Sequence, residues 1–208
     1  MNLFKLKFVR RSLSTCRIRE PPSHSSRIAP TPLVFVSASK WDPQALRMPV
    51  HASFFLEKGF TCIEVDISPP EPSPSQNSAN LIKYFEAELQ GTMRLSMIPF
   101  PPVFFARHAA SLIVQTYISS NPASAIVLFS PPASNAEVSR ALLPTPLEEF
   151  NFEPRFPIAI VSDPAEMEHL RAKNRLVQSP GVETIVASDV DGSEAFSCIE
   201  RWFDTLGI

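Results

Sequence analysis

The residues best suited to chemistry in this sequence lie around His108, which small residues flank on both sides in residues 106–110 (ARHAA). A histidine at a sharp turn could act as a nucleophile or a general base, because its imidazole titrates near neutral pH. Ser111 lies three residues further on and could approach His108 across one helical turn as an alternative nucleophile. Nucleophilic catalysis also needs an oriented base. We therefore prefer the simpler interpretation, in which His108 only occupies a strained turn and Ser111 is a packing residue.

Composition excludes several classes of protein. The chain has 208 residues, which suits one domain, and a net charge of −2, which gives no basic surface for nucleic acid. Its three cysteines lack CxxC spacing, so we expect neither disulfides nor a zinc site. Asp189 and Asp191 could suggest a cation site, but two acids in one turn are usually only solvated. No apolar run reaches the length of a spanning helix, so we expect a soluble protein with no membrane span. We also expect no metal and no cofactor.

The first nineteen residues differ from the rest of the chain. They are basic, rich in hydroxyl groups and free of acids, and apolar residues alternate with the cations. Residues 1–19 therefore resemble a mitochondrial transit peptide, with a disordered basic tail as the alternative. Residues 20–32 are rich in proline and serine and predict a linker. These features favour a mitochondrial protein, located in the matrix.

The elements that must position His108 follow from the pattern of apolar runs. Short β-prone runs alternate with segments of helical spacing, and this alternation predicts a mostly parallel central sheet with helices on both faces, an α/β fold. The predicted strands are 33–36, 60–65, 103–105, 125–129, 158–161 and 183–187, and the predicted helices include 79–89, 109–119, 165–172 and a last helix from 193. A single domain therefore spans residues 33–208.

Residues 102–132 (PVFFARHAASLIVQTYISSNPASAIVLFSPP) show the order strand, turn, helix, Asn-Pro turn and strand. This segment resembles the central part of α/β-hydrolases, in which the turn is the nucleophile elbow. The runs LVFVSAS, KGFTCIEVDI and IAIVSDP resemble further family strands in the same order, so the resemblance covers about residues 33–206. It implies an α/β-hydrolase-like fold. Few residues separate Pro132 from Ile158, so we expect no sizeable lid domain.

The residues that would perform hydrolysis depart from the family pattern. His108 stands where G-x-S-x-G places the serine nucleophile. Ser37 and Ala38 replace the His-Gly of the oxyanion loop, although backbone N–H groups there could still point inward. Asp163 corresponds to the triad acid and could hold the tautomer of His108. The family's base would fall near Asp191, where the sequence has no histidine.

Three functions remain open. The preferred hypothesis is a degenerate, non-catalytic protein that binds or scaffolds, with a protein partner or a mitochondrial complex. The alternative is a residual ester or thioester hydrolase in which a serine bonds to His108, with Asp163 behind it. The third is a protein that binds a small acyl or apolar ligand in the remaining cleft. Phe150, Phe152 and Phe156 could either pack under their loop or form an exposed partner surface.

Overall fold

The computed structural model describes residues 14–25, 27–70 and 77–208, whose strands form one seven-stranded sheet. The strand order is β1-β3-β2-β4-β5-β6-β7. All neighbouring pairs from β3 to β7 are parallel, and only β1 is antiparallel to its neighbour. The strands are β1 Thr15–Arg19, β2 Leu33–Ser37, β3 Cys62–Asp66, β4 Val103–Arg107, β5 Ala125–Phe129, β6 Ile158–Ser162 and β7 Val182–Val186.

Helices cover both faces of the sheet, which confirms the predicted fold class. One apolar core lies under α2, α3 and α4, and a second, rich in phenylalanine, lies under α1 and α5. Every residue of β5 and β6 is buried, as expected for strands that are covered on both faces. The helices are α1 Met48–Glu57, α2 Ser78–Leu95, α3 Ala110–Ile118, α4 Pro164–Lys173 and α5 Ser193–Leu206, with short 3-10 helices at Pro43–Arg47 and Asn135–Glu137.

The N-terminal strand β1 was not predicted, because its residues fell within the segment interpreted as a transit peptide. Arg19 donates from Nη1 to Oε1 of Glu64 on β3 at 2.9 Å, and the Ser14 hydroxyl donates to Glu88 on α2 at 3.1 Å. The folded domain therefore includes an edge strand that precedes residue 33. Residues 1–13, which hold most of the predicted targeting segment, lie outside the described residues.

The connection between β5 and β6 contains no lid domain. Its described residues form one short 3-10 helix, Asn135–Glu137, and loops. Phe150, Phe152 and Phe156 are half-buried and pack against the core, and the Arg175 guanidinium lies 4.8 Å from the centre of the Phe152 ring. The aromatic cluster thus packs under its own loop. None of the helices in the described part of the chain has the length and apolarity needed to cross a bilayer.

Candidate functional site

The turn between β4 and α3 has the backbone shape of a nucleophile elbow. His108 has a φ of 47°, in the left-handed region that histidine tolerates better than most residues other than glycine. Its N–H donates to the carbonyl of Phe129 on β5 at 3.0 Å, and its own carbonyl accepts from the Ser111 N–H at 3.1 Å. These backbone bonds hold the strand, turn and helix together without any contribution from the imidazole.

The His108 side chain lines a cavity of about 590 Å³ at the carboxyl edge of the sheet. Its ring makes no hydrogen bond or ion pair with any other described residue. Burial lowers the pKa of His108, and the neighbouring Arg107 cation lowers the pKa further. The imidazole is therefore neutral at pH 7 and can accept a hydrogen bond on one nitrogen.

The cavity wall combines apolar and acidic groups. Its apolar part includes Pro43, Pro131, Pro132, Val138, Leu142 and Leu170. Its polar part includes Asp42, His108, Ser130, Glu137, Glu166 and His169. A cavity of this size and composition falls in the range of small-molecule binding sites.

The Asp42 carboxylate accepts the backbone N–H of the residue that follows His108. Asp42 is only 2% exposed and accepts the N–H of Ala109, the residue after His108, at 3.0 Å. The other carboxylate oxygen accepts the Gln44 N–H at 3.0 Å and so caps the 3-10 helix Pro43–Arg47. One carboxylate thus bridges the start of that helix to the start of α3, where the peptide dipoles favour negative charge.

The Ser37 hydroxyl, which the sequence placed in the oxyanion loop, bonds away from the cavity. It donates to Oδ1 of Asp66 at 2.9 Å, and the Ser39 N–H donates to the same oxygen at 2.7 Å. Asp66 thereby fixes the loop to the end of β3.

The Ala38 carbonyl closes the same loop on itself. It accepts the N–H groups of Trp41 at 2.8 Å and Asp42 at 2.7 Å. From the sequence, backbone N–H groups of this loop could still point into the cleft. In the structure, those of Ser39, Trp41 and Asp42 already have partners within the protein.

Asp191, near which the sequence resemblance would place the base, accepts one mostly buried and one fully buried donor. Arg107 Nη1 lies 2.6 Å and His51 Nε2 2.9 Å from the Asp191 Oδ1 atom. His51, on α1, is fully buried against the rings of Phe129 and Phe196. Burial is the largest effect on His51 and lowers its pKa, although the hydrogen bond to Asp191 acts in the opposite direction.

Asp163 does not meet His108. Its carboxylate caps α4 by accepting the Glu166 N–H at 2.9 Å, and it makes no hydrogen bond or ion pair with His108 in the described part of the chain. The α4 carboxylate that lines the cavity with His108 is instead that of Glu166, one helical turn further on. Sequence analysis missed Glu166 because the strand-end aspartate matches the family position more closely.

Two serines lie near His108 in different surroundings. Ser111 is fully buried, its hydroxyl has no hydrogen-bond partner among the described residues, and it does not line the cavity. Ser130 does line the cavity, directly beyond the β5 residue Phe129, which pairs with Arg107 on β4. The structure therefore brings Ser130, rather than Ser111, to the cavity beside His108.

Comparisons with solved structures identify the fold. The chain aligns with an α/β-hydrolase enzyme from the metagenome of sediments of the Mar Chica lagoon in Morocco, at a TM-score of 0.63 and 12% identity, over 96% of this chain and 98% of that one. Est1E from Butyrivibrio proteoclasticus aligns at a TM-score of 0.61 and 8% identity, over 93% of this chain and 94% of that one. The chain has the α/β-hydrolase fold.

A further neighbour agrees with this fold. The enol-lactonase from Burkholderia xenovorans aligns at a TM-score of 0.55 and 12% identity, over 94% of this chain and 96% of that one. No protein-family model matches the sequence, and no curated protein has significant sequence similarity to it. The similarity is therefore one of fold.

Hydrolysis on the α/β-hydrolase fold needs a nucleophile, a base and an oxyanion hole, whose first donor is the N–H of the residue after the nucleophile. The sequence resemblance assigns His108 to the nucleophile position; the N–H that would then serve as this donor, that of Ala109, donates to the Asp42 carboxylate. A carboxylate at this point repels the negative oxygen that an oxyanion hole must stabilise. Asp191, at the expected position of the base, is held by Arg107 and His51.

Proposed function

We propose that this chain is a non-catalytic α/β-hydrolase-fold protein that acts in mitochondria by binding a small molecule in the cleft beside His108. The observation that supports this most directly is the Asp42 carboxylate on the Ala109 N–H. An ester transition state develops negative charge where this carboxylate already lies. The site thus opposes the charge that hydrolysis creates.

The cleft itself supports binding. About 590 Å³ of space remains between the turn at His108, the start of the 3-10 helix Pro43–Arg47, the loop after β5 and α4, without a lid. The His108 ring lines this space without a hydrogen-bond partner among the described residues. An unpaired polar group on an apolar wall is what fixes the orientation of a small ligand.

A serine-directed fluorophosphonate probe tests the loss of catalysis. We expect no labelling of the purified full chain and no turnover of short acyl esters. The controls are an active α/β-hydrolase, labelled in parallel, and the Ser130→Ala and Ser111→Ala variants. Labelling that one serine variant abolishes would overturn the proposal.

A residual hydrolase is the second candidate, because the Ser130 hydroxyl lines the same cavity as His108. In this alternative, neutral His108 accepts the Ser130 proton as the hydroxyl oxygen attacks the acyl carbon, and it returns the proton to the alcohol that leaves when the ester C–O bond breaks; water then hydrolyses the acyl-serine. Ester turnover that both Ser130→Ala and His108→Ala abolish would establish it. Turnover that persists in both variants would point to a contaminating enzyme.

The mitochondrial part of the proposal rests on the basic, acid-free composition of residues 1–19. A fusion of residues 1–32 to a fluorescent protein should be imported into mitochondria. A matched fusion in which Lys5, Lys7, Arg10 and Arg11 are replaced by glutamine should stay in the cytosol. Equal distribution of the two fusions would refute import by this segment.

A further inference from the structure

His108 and Ser130 form a pair of strained residues at one wall of the cavity. His108 has a φ of 47° and Ser130 a φ of 43°, and both follow adjacent parallel strands. Ser130 is only 4% exposed, yet its hydroxyl makes no hydrogen bond with any other described residue. Backbone strain of this kind concentrates at ligand-binding sites, where the surrounding structure holds it in place.

The charges of the cavity wall are of one sign. Asp42, Glu137 and Glu166 contribute carboxylates, and the cavity-lining residues of the described chain include no lysine or arginine. Lys173 and His169 bond to Glu137 at 2.6 and 2.8 Å, so that acid is largely neutralised. Glu166 has no cation partner among the described residues, so its negative charge acts on the cavity together with that of Asp42, whereas the Arg107 cation acts on His108 from outside the cavity lining.

Glu166 also keeps free acceptor capacity. Its Oε2 atom accepts the Ser162 hydroxyl at 2.7 Å, whereas Oε1 makes no hydrogen bond with any described residue. The neutral His108 ring and the Ser130 hydroxyl offer two further acceptors on the same cavity. An alkylammonium group has three N–H donors, which matches three acceptors.

We propose that the cavity binds an organic cation, a primary alkylammonium whose head meets Glu166, Ser130 and His108 and whose apolar body lies against Pro131, Val138 and Leu142. This inference rests on the proposed binding function and names its ligand class. The site that would stabilise an oxyanion in a hydrolase thus has the opposite preference here. Carboxylate and phosphate ligands are disfavoured, because the acidic side chains that line the cavity would repel them.

Titration calorimetry on the purified full chain tests this selectivity with three probes of equal length: n-hexylammonium, 1-hexanol and hexanoate. We expect hexylammonium to bind more tightly than hexanol and hexanoate to show no binding. Hexanoate binding as tight as that of hexylammonium would overturn the inference. The absence of binding by all three probes would overturn it as well.

Two variants on α4 separate the role of Glu166 from general surface charge. Glu166→Gln keeps an oxygen for the Ser162 hydroxyl but removes the charge, and it should weaken hexylammonium binding about tenfold. Glu168→Gln removes an exposed carboxylate that does not line the cavity and should leave binding unchanged. Equal effects of the two variants would refute the assigned contact.

The two proposals fail in different ways. Serine-dependent ester turnover would refute the non-catalytic function whatever the cavity binds. A preference for hexanoate, without turnover, would refute only the cationic ligand. Binding that Glu168→Gln weakens as much as Glu166→Gln would show a non-specific ionic effect.

Discussion

Replacing Asp42 by alanine should destabilise the fold far more than removing an ordinary helix cap. The Asp42 carboxylate accepts two backbone N–H groups, that of Gln44 and that of Ala109, each at 3.0 Å. It is 2% exposed, so both bonds are shielded from bulk water, although the residue also borders the cavity. Both donors therefore lose their acceptor inside the protein.

The cost follows from these two bonds. Loss of an N-cap side chain costs about 1 kcal/mol, and a hydrogen bond to a charged group contributes roughly 1.5–3 kcal/mol. Together the free energy of unfolding should fall by about 2.5–4 kcal/mol. In a domain of this size, each kcal/mol lowers Tm by roughly 2–4 °C. The expected decrease in Tm is therefore roughly 5–16 °C.

Urea denaturation of the full chain, followed by circular dichroism, measures this change. Asp163→Ala is the matched control, because Asp163 caps α4 through a single N–H and is half-exposed. The control should lose only about 1 kcal/mol. The reasoning fails if Asp42→Ala costs no more than Asp163→Ala, since the bridge to Ala109 would then add nothing. Under the proposed non-catalytic function, neither variant should gain ester turnover.

Three further predictions concern other parts of the chain. Asp191→Ala should lower the free energy of unfolding by about 3 kcal/mol in urea titrations, because it leaves a mostly buried guanidinium unpaired, and a loss under about 1 kcal/mol would contradict this. Burial lowers the folded-state pKa of His51, so the contribution of neutral His51 to stability is fully present above about pH 6.5, the pKa in the unfolded chain, and is lost as pH falls toward the folded-state pKa. His51→Gln should therefore make Tm depend less on pH between about pH 7 and 5; an unchanged profile would contradict this. Ser111→Ala should change the free energy of unfolding by less than about 0.5 kcal/mol or raise it, and leave calorimetric hexylammonium binding intact; a large loss of either would contradict the packing role.

Sequence predicted the fold well, because strand and helix alternation is a local signal. The predicted strand 125–129 matches β5, and the predicted helix 165–172 lies within α4. The edge strand β1 was missed because its basic composition resembled a targeting segment more than a strand. Its pairing with β3 depends on residues about fifty positions away, which local periodicity does not show.

The site was less predictable, because its important contacts join distant parts of the chain. His108 was identified because it lies between a predicted strand and a predicted helix, and its left-handed backbone agrees with the expected turn. The bond from the Ala109 N–H to Asp42 spans 67 positions, and the bond between His51 and Asp191 spans 140. Asp42 follows a tryptophan in the sequence, and His51 lies in an apolar helix. Neither local setting indicates the distant partner.

The backbone geometry of the turn between β4 and α3 is set independently of the side chain at position 108. The turn at His108 is held by backbone bonds to Phe129 and Ser111, so it does not depend on a particular side chain. Glycine would remove the strain there, which costs roughly 1–3 kcal/mol for other residues. A histidine at this position therefore has a cost in stability, and so has the strained Ser130 beside it. Both residues line the same cavity with an imidazole and a hydroxyl, and the proposed binding of a ligand there gives a reason for the strain at both positions.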